Sequence, residues 1–480
     1  MNSMKPIATA AYFAIFTSLA LYATETETST PLDTTGGHTI DVETGDTLIY
    51  KGKISGSGLL TKIGGGTLVL DNAENDFTGG ISVLTGYVNA AKSGSLGTGK
   101  VYARNKDVGG IIFSAPNGEF SNAMGKYNQH GGFMTFKADT TLHGAIEASG
   151  AQTYMNADAG VRAVFKGEVN VNTKTMQLQN MKGTMVFEGR VKASATDVGF
   201  HIPSVTGNEG GKVILCNQGN ELKLVQLGHV AYVCSNENVI VGANVKTRFD
   251  SDRGCLDLNG FDQRIASIGV EGAGWAKANN PTNSLILSKS PATLTIEGTG
   301  AGNLANCNCL ITGKVSIVMD ADPAFTNRFV HRQHRMDGDI TVKSGVFDLS
   351  GENTRFLNVP KISVGGDGVF LSYAYRGSPT AASLPAVTNL AIASGGRFEI
   401  LNDGAGKHYS PFTQGQLHLE LAPDSSLNLM EDICLTVNTF RVSGVYQHKG
   451  LYASVQCPAI KTGSVHVLNG PKYGIVFTVR

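Results

Sequence analysis

Residues 161–171 read VRAVFKGEVNV, and residues 185–191 read MVFEGRV. In the first stretch Val161, Ala163, Phe165, Gly167, Val169 and Val171 hold the odd positions, while Arg162, Lys166, Glu168 and Asn170 stand at even ones. The second puts Met185, Phe187 and Val191 on one side and Glu188 and Arg190 on the other. A period of two is the mark of a strand with one buried and one wet face. Both stretches carry one short element: apolar, any, glycine, any, β-branched. It begins at Tyr50 (YKGKI), Phe77 (FTGGI), Phe165 (FKGEV), Phe187 (FEGRV), Ile311 (ITGKV) and Met336 (MDGDI), with a looser copy at Leu142 (LHGAI). Leu142, Phe165 and Phe187 follow one another at 23 and 22 residues, and Ile311 and Met336 lie 25 apart. A fixed period of roughly 20–50 residues means stacked repeats. A coil of about 22 residues holds two or three short strands, because strands average ~5–6 residues. The expected fold is therefore all-β: a parallel β-helix (β-solenoid) with coils of about 22 residues. A set of β-sandwich domains also spaces short strands evenly and is the alternative.

Stacking Phe165 over Phe187 places Lys166 over Glu188 and Glu168 over Arg190. Both outward pairs are oppositely charged, and such neighbours contribute ~0.2–1 kcal/mol each. These two coils are expected to be adjacent and parallel. The central glycine should mark a bend or a point where another backbone comes close. Further along, Leu417, Leu419 and Leu421 alternate with His418 and Glu420 in the same strand pattern.

Composition agrees with this. Glycine is 60 of 480 residues, well above the usual ~7%. Charged residues are 16%, below the usual ~25%. Lys+Arg and Asp+Glu are 39 each, so no net field draws in nucleic acid or acidic lipid. Lys5 followed by Ile7–Ala23, apolar or small apart from Thr9, Thr17 and Ser18, has the layout of a secretory leader, with cleavage expected after Ala23 or Ala20; the alternative is an uncleaved membrane anchor, for which the run falls short of the ~20 residues a span needs. No later run is long and apolar, so the mature chain is not expected to span a membrane. The domain reading is 1–23 signal peptide, 24–422 β-helix repeats and 423–480 C-terminal β coils or cap.

Export permits disulfides. The seven cysteines (Cys216, Cys234, Cys255, Cys307, Cys309, Cys434, Cys457) are odd in number, and no two form a CxxC pair. Cys307 and Cys309 flank one residue, which is poor geometry for a bridge. Cys216, Cys234 and Cys255 are each about one coil apart and are expected to stack on adjacent coils as small apolar residues.

Two stretches resemble the autotransporter-associated β-strand repeat of bacterial surface proteins. Residues 55–101, SGSGLLTKIGGGTLVLDNAENDFTGGISVLTGYVNAAKSGSLGTGKV, carry the signature order. It runs through Leu60, Lys62, Gly64 and Gly66-Thr67-Leu68, then N-x-F-T-G-G from Asn75, then L-G-x-G from Leu96. The region from about Gly207 to Gly300 is similar to an extended form of the repeat, with NEL at Asn220–Leu222, CLDLNGFDQRIASIGV at Cys255–Val270 and SKSPATLTIEG at Ser288–Gly298. GVYQHKGLYASV and GSVHVLNG, near the C-terminus, are loosely similar to closing strands of such proteins. The resemblance implies a β-helical passenger segment displayed or secreted by a diderm bacterium, and no single activity. Members that export themselves end in a membrane barrel of many strands. Fewer than sixty residues follow Pro423, so self-export is not expected.

Several residues bear on chemistry. Gly94-Ser-Leu-Gly-Thr-Gly-Lys100 approaches a phosphate loop, but Val101 follows where Mg²⁺ binding wants Ser or Thr, and no helix is expected there. Val330–Asp339, VHRQHRMDGD, gathers His331, Arg332, His334, Arg335, Asp337 and Asp339, with Asp320 and Asp322 nearby. A β-helix lyase or hydrolase needs close carboxylates, or a base with a neutralising cation, on one outer face. The alternative is a solvated loop between coils. Asp250, Asp252 and Arg253 look like turn residues. Trp275, the only tryptophan, is a candidate glycan contact, as aromatic faces stack sugars; Tyr373 and Tyr375 beside Arg376 are similar. No catalytic residue, metal ligand or cofactor is assigned. Candidate ligand contacts are Trp275, His331, His334, Asp337 and Asp339. The expectation is an exported, non-enzymatic β-solenoid at the cell surface, in the medium or in the periplasm, serving display, adhesion or structure. Its partners would be cell-surface or extracellular glycans or proteins. The alternatives are a polysaccharide lyase or hydrolase, or a glycan-binding protein, on the same scaffold.

Overall fold

The structure is a computed structural model. It describes residues 23–470 except 104–108, 127–132, 149–152, 172–175, 179–180, 194–198, 202–209, 228–230, 248–253, 272–283, 301–303, 308, 331–332, 350–353, 374–381, 402–409 and 432. The leader reading, 1–23, falls outside the described residues but for Ala23.

The chain winds as a β-solenoid. Alternation of apolar and polar residues buries one face of each short strand, and glycine-rich turns swing the chain to the next wall. Among the described residues one wall holds 12 strands, from Glu25–Thr28 to Ser267–Ile268; a second holds eight, between His38–Asp41 and Val191–Ala193. The longest wall begins at Gly118–Phe120 and ends at Ile460–Thr462, with 23 strands. Described strands pair in parallel save for three antiparallel contacts: Val270–Asn306, Arg441–Tyr446 and the Gly450–Tyr452 strand on Ser464–Val467. Along one column Met124, Ile146, Val169 and Val191 stack in register, close to the period expected from the repeat. Two coils towards the C-terminus are longer, for Ile362 pairs with Leu390 and Leu390 with Leu419, and the next is short again, with Leu419 paired to Phe440.

Phe165 pairs with Phe187, and their rings stack at 4.7 Å. The file continues upward through Phe136 and Phe113, whose rings stack at 5.0 Å. A second file runs through Phe329, Phe347, Phe370 and Phe398 at 4.3, 5.1 and 5.1 Å. Each buried ring or aliphatic side chain contributes ~1.5–3 kcal/mol, which makes the stack the main source of stability. The alternation is not strict, for Val164 and Val186 are buried at even positions.

The central glycines meet backbone. A Cβ on Gly167 would lie 2.1 Å from the Gly144 carbonyl oxygen, and one on Gly189 would lie 2.1 Å from that of Gly167. Gly52, Gly79 and Gly338 face carbonyl oxygens of the preceding coil at 2.1, 2.1 and 2.3 Å. Only a residue without Cβ lets these coils approach to strand-pairing distance.

The polar residues of the repeat signature have a place too. Asn75 is buried; its Oδ1 accepts from Ile54 N–H (2.8 Å) and its Nδ2 donates to the Ser95 carbonyl (2.8 Å). Asn220 does the same between Val191 N–H (2.8 Å) and the Val239 carbonyl (3.1 Å). Each side chain ties together three successive coils where the strands leave off. Lys62, fully buried, donates to the carbonyls of Ile63, Gly64 and Thr85 at 2.6, 2.8 and 3.3 Å.

The 25-residue spacing of the two later copies does not place Met336 under Ile311. The register is Thr312 with Arg335 and Gly313 with Met336, so His334 takes the place beneath Ile311. The cysteines Cys216, Cys234 and Cys255 do not stack. Cys234 pairs with Leu215, which puts Ser235 and not Cys234 beside Cys216. Val233 pairs with Asp257, so Leu258 follows beneath Cys234, while Cys255 pairs with Ala231. The expected charge columns are in register, yet neither closes as an ion pair among the described residues; Arg190 turns instead to Glu221 on the following coil.

Candidate functional site

Among the described residues the polar groups of 330–339 do not converge. His334 lies in the core, its ring stacked on Phe356 at 4.3 Å and edge-on to Phe329 at 5.9 Å. Its Nδ1 accepts from Ile311 N–H at 3.3 Å. Asp337 points outward and accepts from Asn358 Nδ2 at 2.8 Å. Asp339 is half-buried, and its backbone carbonyl pairs with Ile317 N–H at 2.9 Å. The coil wall therefore separates the imidazole from the carboxylates. Arg335–Met336 forms a short strand in this stretch, with Gln333, Arg335 and Asp337 exposed and His334 and Met336 buried. Asp320 pairs with Lys343 at 3.2 Å, and Asp322 accepts from Ala324 N–H at 2.9 Å as a turn residue. His331 and Trp275 lie outside the described residues, as do Tyr375, Arg376, Asp250, Asp252 and Arg253. For Tyr373 only the strand is described.

Gly94–Lys100 forms a turn, not a strand-to-helix junction, and Lys100 pairs with Glu147 at 2.8 Å. All seven cysteines are free. Cys307 and Cys309 are both buried with sulfurs 3.5 Å apart, and the hydrogen bond with Cys307, together with burial, holds the Cys309 thiol well above its ordinary pKa. Among the described residues no group of three or more His, Cys, Asp or Glu is placed to hold a metal ion.

A groove of about 630 Å³ opens instead on the outer face of the longest wall near its C-terminal end. Four strands build its floor: Lys361–Tyr373, Asn389–Ile392, His418–Leu421 and Thr439–Val442. Their inward residues Ile362, Leu390, Leu419 and Phe440 are buried. That burial turns two columns outward in register: Lys361, Asn389, His418, Thr439, and Ser363, Ala391, Glu420, Arg441. Strand pairing fixes successive rows ~4.8 Å apart. Past Gly444 (φ 77°) the chain turns back, and Tyr446 pairs antiparallel with Arg441 to form an end wall. The Arg441 guanidinium lies 4.0 Å over the Tyr446 ring and donates to its hydroxyl. His418 Nδ1 and Thr439 Oγ1 are 2.8 Å apart, which orients the imidazole. Arg328 and Arg397, earlier on the same wall, are held by Asp348 and Glu399. Lys361 and Arg441 have no carboxylate at ion-pair distance among the described residues.

Strand alternation in the sequence puts His418 and Glu420 on an outward face and does not join them to Lys361, Asn389, Arg441 or Tyr446. The signal was the strand alternation at 417–421; nothing in the residue spacing shows which strands lie alongside. No helix among the described residues is long and apolar enough to cross a membrane, a finding without bearing on β-barrels. No protein-family model matches the chain, and neither a curated protein nor a solved structure shows significant similarity to it.

Proposed function

We propose that this protein is an exported, non-enzymatic β-solenoid that acts by presenting a ligand-binding outer face, in surface display, adhesion or a structural role. The observation that carries this reading is the groove between Lys361 and Tyr446. Its floor is a parallel sheet, and its side chains are tied to one another, His418 to Thr439 and Arg441 to Tyr446. Such an array orients and holds a ligand laid across several coils. Two further features support it: the leader-like composition of 1–23 and the resemblance of 55–101 to the autotransporter-associated repeat. The rival is a polysaccharide lyase or hydrolase on the same scaffold, which His418 and Glu420 in neighbouring columns would serve as acid or base.

The test has two parts. The full chain, expressed in a diderm host, is probed by protease shaving of intact cells and by fractionation. Accessibility outside the inner membrane is expected; retention in the cytosol overturns export. Purified protein is then incubated with uronic-acid and neutral polysaccharides. Unchanged reducing ends and no unsaturated product are expected. Turnover lost on His418→Ala would establish the rival.

A further inference from the structure

We propose that the groove binds a linear polysaccharide bearing uronate carboxylates, laid along the solenoid axis. This rests on reading the groove as a ligand-binding face, and it adds the ligand's chemistry. The first argument is periodicity. Rows of side chains repeat at the strand spacing, ~4.8 Å, which is close to the length of one pyranose unit. A polymer of sugars can thus repeat its contacts from coil to coil. Four rows, Lys361, Asn389, His418 and Thr439, span about 14 Å, three strand spacings, so the floor takes about three sugar units.

The second argument is charge. Lys361 and Arg441 enter the groove from opposite ends without a carboxylate partner among the described residues. A guanidinium and an ammonium about three rows apart suit carboxylates on separate sugars of one chain. Among the described residues Glu420 is the one acidic residue of the lining, and it sits beside Arg441 in register. The third argument is the end wall. Tyr446 is 46% exposed, and its ring is held by Arg441 on one face. A fixed aromatic ring offers a platform for the apolar face of a pyranose. Asn389, Ser363 and Thr439 supply donors and acceptors for hydroxyls between the charged ends.

The test is calorimetric titration of the full chain with hexagalacturonate, its fully methyl-esterified form, and cellohexaose. Binding of the acid form alone is expected, weakening as salt rises because the contacts are exposed. Lys361→Gln and Arg441→Gln should each weaken it tenfold or more. Lys51→Gln, at the far end of the rod, should leave it unchanged. Lys361 is exposed on a strand surface, so its replacement leaves the core intact, and circular dichroism checks this. Equal binding of the ester, no binding of the acid form, or binding indifferent to both substitutions would overturn the proposal. Each of those results leaves display and export standing. Unsaturated product lost in Arg441→Gln would uphold the groove's ligand and overturn the non-enzymatic reading instead.

Discussion

Replacing Gly167 with alanine puts a methyl group where a neighbouring coil already lies. The new Cβ would stand 2.1 Å from the Gly144 carbonyl oxygen and 2.4 Å from its carbon. Contacts below ~3 Å are not tolerated by real side chains, so the two coils must part by about 0.9 Å. Two hydrogen bonds flank the site, Lys166 N–H to the Leu142 carbonyl and Ile146 N–H to the Glu168 carbonyl, both 2.8 Å. Parting by that amount stretches each beyond the range of a hydrogen bond. Losing two costs about 1–3 kcal/mol together, and forced overpacking adds about 1–3 more, for about 2–6 kcal/mol in all. Gly160→Ala is the control. Gly160 has φ +80° but nothing within 4 Å of its would-be Cβ, so it carries only the backbone penalty, about 1–2 kcal/mol. The assay is urea denaturation followed by circular dichroism, joined to native-state hydrogen exchange over residues 142–191. Exchange is needed because a repeat array can open locally. Gly167→Ala should lower the midpoint more than the control and speed exchange in those coils. A loss no larger than that of Gly160→Ala would refute the close-approach account of the repeat glycine.

Other substitutions test the buried polar groups and thiols. Asn75→Ala and Asn220→Ala each strand one N–H and one carbonyl inside the rod, so each should cost about 2 kcal/mol or more in urea denaturation. Burial pushes the Lys62 ammonium down to about 8 from 10.5, against an opposing pull from Asp41. The unfolded chain then holds the extra proton between those values, so Lys62 destabilises most below pH about 8, and that cost is relieved as pH rises towards 10.5. Unfolding free energy of the native chain should thus gain on that of Lys62→Met across this window, and parallel profiles would count against a depressed lysine. Iodoacetamide labelling read by mass spectrometry should modify exposed Cys434 first and spare buried Cys234, Cys307 and Cys309, whose thiols lack access to solvent.

Much of the solenoid could be read from residue order because coil stacking repeats one steric demand. Where a neighbouring backbone passes within reach of the central position, glycine stands there, as at Gly144, Gly167 and Gly189. Phe165 and Phe187 could be placed together because the intervening coil has the common length. Met336 could not be placed so. A shift of two residues keeps every side chain on its own face, so apolar alternation alone accepts either register. Packing decides it, with His334 filling the gap between Phe329 and Phe356. The cysteines show the same limit. The coil from Leu215 to Cys234 is short and that from Val233 to Asp257 is long, so near-equal spacing along the chain does not mean a shared column.

By itself, then, the sequence determined the period-two strands, the glycine-centred repeat and the winding of parallel coils, because each follows from contacts between a residue and its counterpart one coil away. The groove belongs to tertiary structure. Lys361, Asn389, His418 and Thr439 are separated by unequal stretches of chain, and no local pattern links them. They share a column because turns of unequal length return the chain to one hydrogen-bonded wall, and that wall, not the spacing of the residues, sets what stands beside what.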